Sequence, residues 1–206
     1  NGLHGMINIL SNPTMSDQAS MIGIDVGRFD YSRINAKLAA RALGEGDLTI
    51  GFTGISDGGF KDNAGYDQQK ISASYQVSRG NRQHTTSFSA TNLNQETAGY
   101  IQGDDVYKIN SLKRDNPNPE AYRDAYAINL SHRIVEESDN GESHAVTFFA
   151  RHNDMAFLQH YLPWQAVEET GHSSIGIQAH WQTQIGDAQL NYGLETQYTA
   201  AYLTEE

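Results

Sequence analysis

Apolar and polar residues alternate one for one along most of this chain, and an α-helix has no use for such a period. Ile22, Ile24 and Val26 alternate with Gly23, Asp25 and Gly27. Ile34, Ala36, Leu38 and Ala40 stand against Arg33, Asn35, Lys37 and Arg41, and Leu48, Ile50 and Phe52 against Thr49, Gly51 and Thr53. Ile71, Ala73, Tyr75 and Val77 follow the same rule, as do Tyr126, Ile128, Leu130 and Ile134. The longest cases come last. Ile175, Ile177, Ala179, Trp181 and Ile185 alternate with Ser174, Gly176, Gln178, His180, Gln182 and Gln184. Leu190, Tyr192, Leu194, Tyr198, Ala200 and Tyr202 alternate with Gln189, Asn191, Gly193, Glu195, Gln197 and Thr199. Successive side chains of a strand point to opposite faces, so each stretch reads as a strand with one apolar and one polar side. A weaker stretch near His84–Asn94 and one around His144–Asp154, where Phe148 and Phe149 are adjacent, bring the expected total to nine.

The connections alternate too. Gly44–Asp47, Arg79–Asn81, Asp139–Glu142 and Gly186–Asp187 are short and rich in Gly, Asn and Asp, which supply the positive φ of tight hairpins. Ser56–Asp67, Gln95–Ala121 and Ala156–Gly171 are longer; the connection near Arg28–Tyr31 is the short exception among them. Tight turns on one rim and longer loops on the other are the layout of an outer-membrane β-barrel. The expected strands also exceed the five or six residues usual in soluble sheets and reach the roughly 9–11 a tilted membrane strand needs. Aromatics near strand ends, namely Phe29, Tyr31, Phe60, Tyr66, Tyr122, Tyr126, Tyr161, Trp164 and Tyr202, suit an interfacial girdle, although Tyr is also a good strand residue anywhere.

Composition narrows the classes. Lys and Arg number 14 against 25 Asp and Glu, a net charge of −11, and no basic cluster offers a footprint for nucleic acid. There is no Cys, which removes disulfide frameworks and thiolate metal sites. No run of 18 apolar residues exists, so no transmembrane helix is expected. The low mean hydropathy does not exclude a barrel, which shows lipid only alternate residues. No G-x-S-x-G, H-E-x-x-H or P-loop is present.

Particular stretches carry a family resemblance. "NGLHGMINIL" (Asn1–Leu10) resembles the end of the plug domain of TonB-dependent outer-membrane receptors, with Gly5, Ile7 and Asn8 matching a G-x-I-N core. The Gly and Ala that precede this core in the family are off the chain or replaced by Leu3 and His4. "DGGFKDNAGYDQQKISASYQVS" (Asp57–Ser78) resembles the family's second outer hairpin, with its G-[YF]-[RK]-D-N turn. "TNLNQETAGYIQG" (Thr91–Gly103) and "NPNPEAYRDAY" (Asn116–Tyr126) resemble a third loop and its return. The resemblance implies an all-β fold, an antiparallel transmembrane barrel of which about nine strands are present. Residues 1–13 would be the end of the plug and 14–206 the first part of the barrel. It implies an importer in the bacterial outer membrane, surrounded by lipid and energised by TonB through a region outside this chain. It implies no catalysis and no cofactor, with an iron chelate such as a ferric siderophore as the commonest cargo.

Within that frame Gln95–Ala121 is the best functional stretch, since long loops in compact folds are usually functional or disordered. Tyr100, Tyr107, Lys108 and Arg114, with Arg123 beside the loop, combine aromatic and cationic groups suited to an anionic chelate. An ordinary mixed-charge surface loop has the same composition. The polar side of the strands, Asn35, Lys37, Gln76, Gln178, Gln182, Asn191, Glu195 and Gln197, would line a wet lumen. His144, His152 and His160 recur every eight residues, as do His172 and His180, which is more than about 20 Å along a strand. That is too far for one metal site. A passive porin and a soluble all-β binding module stay open as alternatives.

Overall fold

The computed structural model describes residues 19–41, 46–138 and 141–206. The plug-like opening, residues 1–13, lies outside them, as do parts of the turns at Gly44–Asp47 and Asp139–Glu142. The strands are β1 (Met21–Val26), β2 (Ser32–Arg41), β3 (Asp47–Asp57), β4 (Tyr66–Arg79), β5 (Arg82–Glu96), β6 (Tyr122–Glu137), β7 (Ser143–Leu158), β8 (Val167–Ile185) and β9 (Ala188–Glu205). One 3-10 turn, Val106–Lys108, interrupts the series. All nine expected strands form. Most run further than alternation alone indicated, to 19 residues in β8. β1 is the exception, with only 6 residues where a membrane-spanning length was expected.

The nine strands make one sheet in chain order, every neighbouring pair antiparallel. Sequential hairpins leave no room for the Greek-key crossings of a sandwich, and the described residues contain no second sheet. The soluble sandwich is therefore set aside. Two-residue turns close the β4–β5 and β8–β9 hairpins, with Gly80 at φ 62° and Gly186 at φ 59°. That left-handed backbone is cheap only for glycine and matches the twist of the flanking strands.

Register turns alternation into two chemically opposite faces. Leu38, Ile50, Ala73, Phe88, Leu130, Ala150, Ile175 and Tyr198 pair in succession across β2 to β9, forming an apolar row. One residue along, Lys37, Gly51, Ser72, Ser89, Asn129, Arg151, Ser174 and Thr199 form the neighbouring row on the other face. This polar face lines a trough of about 660 Å³ and is the concave one. The apolar face is convex and uncovered: Ile24 is 72 % exposed, Ile175 63 % and Tyr198 71 %. No large side chain is fully buried among the described residues. A soluble domain does the reverse and hides its apolar face. The sheet does not close, and β1 and β9 are its edges.

The aromatics divide accordingly. Tyr126 and Tyr202 stand on the convex face near the long-loop rim, where the Tyr202 hydroxyl donates to Asp154 at 3.0 Å. At the tight-turn rim, Trp181 and Tyr192 stack with ring centroids 5.6 Å apart. Tyr66 departs from the girdle expected of it: its register places it on the concave side, where it lines a rim cavity with Asp57.

Candidate functional site at the long-loop rim

Four connections meet at one rim: residues 27–31, 58–65, 97–121 and 159–166. The longest, 97–121, is pinned rather than loose. Its base is clipped where the Thr97 N–H donates to the Ala121 carbonyl at 2.8 Å. Its far side is tied to residues 58–65. The Asp62 N–H donates to the Arg114 carbonyl at 2.8 Å, the Asn116 amide to the Asn63 carbonyl at 2.8 Å, and the Lys61 ammonium to the Gly99 carbonyl at 2.6 Å. On its other side the Gln165 amide donates to the Glu120 carboxylate at 2.7 Å. Glu120 is held below the ordinary carboxylate range, mainly by its backbone hydrogen bond, with further help from Gln165 and Asn118 against desolvation.

Between the 97–121 and 159–166 connections lies a cavity of about 410 Å³, lined by Tyr100, Gln102, Asp115, Asn118, His160 and Tyr161 among others. Below it runs a ladder of rings. The Arg123 guanidinium sits 4.9 Å from the Phe157 ring centre, Phe157 is 6.2 Å from Tyr161, and Tyr161 is 5.7 Å from His160. The His160 Nδ1 is buried without a hydrogen-bond partner. A cation over an aromatic ring and a group of exposed rings beside amides can hold a flat or aromatic ligand by stacking and hydrogen bonding.

The five residues singled out in the sequence do not converge. Tyr100 lines the cavity, and Arg123 approaches it through Phe157 and Tyr161. Tyr107 and Lys108 stay together near the 3-10 turn, where the ammonium lies 5.3 Å from the ring centre and pairs with Asp105 at 2.9 Å. Arg114 turns the other way, toward Asp62 at 3.7 Å and the Phe29 ring at 5.3 Å. His160 and Tyr161 were missed because they stand some sixty residues from Tyr100 in sequence. The two aromatic neighbours Tyr161 and Trp164 in one connection are the available signal, and the same pair suits an interfacial girdle.

A second rim cavity of about 380 Å³ lies nearer residues 58–65. Asp30, Asp57, Asp67, Glu96 and Asp124 line it, so it repels anions. The evenly spaced histidines fall on separate parts of the wall: His152 bonds Ser173 and Asp154 at 2.8 Å each, and His160 sits in the rim cavity. Among the described residues no three His, Asp or Glu side chains gather as a metal-binding set.

No family model matches the sequence, and no curated protein does. Solved structures do match. The Pseudomonas aeruginosa receptor FpvA in an iron complex with a heterologous pyoverdine aligns at a TM-score of 0.67 and 11 % identity, over 89 % of this chain. The ferripyoverdine receptor of the P. aeruginosa outer membrane, bound to ferripyoverdine, aligns at 0.65 and 11 % identity over 88 %. This chain spans only 28 % and 27 % of those two chains. At that identity the likeness establishes the fold, a section of an antiparallel β-barrel wall.

Proposed function

We propose that this chain is the first part of the barrel of a TonB-dependent outer-membrane receptor that imports an iron chelate. The observation that carries the reading is the sidedness of the sheet: the apolar rows lie on the exposed convex face and the polar rows on the concave one. Only surroundings more apolar than water reward that arrangement. Strand length agrees. Sixteen residues, as in β6, span roughly 54 Å, or about 38 Å along the normal at a 45° tilt, against about 30 Å of hydrocarbon. The surplus lifts the long-loop rim clear of the bilayer.

The fold shared with receptors whose structures hold ferripyoverdine supports a chelate as cargo. The cavity beside Tyr100, His160 and Tyr161 is the part of the rim best suited to it, since the neighbouring one is acidic. On this reading residues 1–13 are the end of a plug that precedes the wall. Uptake of iron chelates by cells carrying the full-length polypeptide tests the proposal. Import that stops when TonB is deleted supports it; import that continues unchanged without TonB would instead favour the passive porin.

A further inference from the structure

We propose that the tight-turn end of the convex face, on β4 to β6, holds the phosphate of an anionic phospholipid headgroup. The inference rests on the reading of this face as the one that meets lipid, but not on the cargo or on residues 1–18. Two aromatic rows set the frame. Trp181 and Tyr192 pair in one, and Tyr126 and Tyr202 share the other, ten residues away along β9. Ten residues rise roughly 34 Å, or about 24 Å along the normal at a 45° tilt, which matches the apolar band of about 25 Å on a membrane barrel. The two ends of this band carry opposite charge. At the tight-turn end the row of Trp181 continues through His144 and Glu136 to Arg82 and Arg79. His84 stands one row inside it and His132 two, their rings 5.7 Å apart. At the long-loop end the same face carries Asp67, Asp124, Asp154 and Glu169, and the two rows that hold them contain no Lys or Arg from β1 to β9.

The basic end suits one phosphate. Arg79 and Arg82 face each other across the two-residue hairpin, where opposed side chains start about 5 Å apart. His84 follows Arg82 on the same face, about 7 Å along the strand. Arg82 gives its Nε to Glu136 at 3.0 Å, and Arg79 pairs with no acid among the described residues. Two guanidinium groups present the forked donors that phosphate oxygens accept. The notch is local. Across β7 to β9 the row of His84 continues as Val146, Ala179 and Leu194, which offer a phosphate nothing. Long basic side chains at a membrane surface also reach for water without binding anything. Reaching for water gives no preference between headgroups, whereas a phosphate site does.

Spin-labelled phosphatidylglycerol and phosphatidylcholine serve as the probes. Full-length protein is reconstituted in phosphatidylcholine bilayers at low ionic strength, and electron spin resonance measures how strongly each labelled lipid is immobilised. Wild type is expected to prefer phosphatidylglycerol about tenfold: a basic side chain near an anionic headgroup gives roughly fivefold, and Glu136 offsets part of Arg82. The preference is expected to fall as salt is added. R79Q/R82Q is expected to bring the ratio to about one while immobilisation of phosphatidylcholine stays the same. K37Q/K70Q removes the same charge from the concave face and is expected to leave the preference intact. R79Q alone keeps the Arg82–Glu136 pair, replaces the double variant should that not fold, and is expected to lower the preference about fivefold. Equal retention of the two lipids by wild type, or a loss in K37Q/K70Q as large as in R79Q/R82Q, would overturn the proposal. Immobilisation of neither lipid would overturn the reading of the convex face as well.

Discussion

Gln165 donates a 2.7 Å hydrogen bond to Glu120, 45 residues earlier, joining the two connections that flank the rim cavity. Glu120 titrates below its usual 4.5. A carboxylate with a depressed folded value adds stability above the unfolded value and loses it as pH falls through the folded one. The clasp is therefore expected to hold at neutral pH and to release only as pH falls below the ordinary carboxylate range. Amide exchange of residues 159–166 at stepped pH checks this, and Q165A should give the released pattern already at pH 7.

Gly59 has φ 79°, and a Cβ there would overlap the Ala64 carbonyl. Gly59→Ala is expected to cost about 1–3 kcal/mol locally. Residues 58–65 brace 97–121 through Asn63 and Lys61, so limited proteolysis should cut both connections faster while the barrel band survives.

The rim site predicts a division among residues of similar type. Y100A, Y161A and R123A should each weaken chelate binding about tenfold, the scale of one stacking or charged contact. K108Q should have little effect, because Lys108 is spent on Asp105 and Tyr107. R114Q should act through the loop brace, lowering stability more than affinity. Binding isotherms with a ferric chelate, beside proteolysis of the same variants, separate these outcomes.

The wall was legible in the sequence because β-structure writes its two faces into a period of two, and register then copies them from strand to strand. Strand ends were less legible. Beyond the apolar band both faces are polar, so Tyr66–Lys70 and Val167–Ser173 gave no alternation although they are paired. The site was the least legible part. Tyr100 lines one cavity with Tyr161, and Lys37 one trough with Arg151, only because the strand order brings distant segments together, and no local pattern encodes neighbours of that separation.

Charge placed on the two faces should cost unequal amounts. Ile175 lies within the apolar row and Gln178 on the trough. Ile175→Arg is expected to destabilise the folded barrel by about 2–4 kcal/mol at mid-membrane, and Gln178→Arg by much less. Urea titration of the full-length protein in lipid, followed by the heat-shifted gel band, measures both.

The claim on which the rest depends is that the convex face meets lipid and the concave face water. Ile177 and Gln178 are adjacent in β8 and differ only in face. Spin labels at each position of the full-length protein in bilayers, relaxed by oxygen and by a water-soluble nickel complex, test it most directly. The account predicts strong oxygen contact at Ile177 and strong nickel contact at Gln178. The opposite pattern, or two labels equally open to nickel, would contradict it.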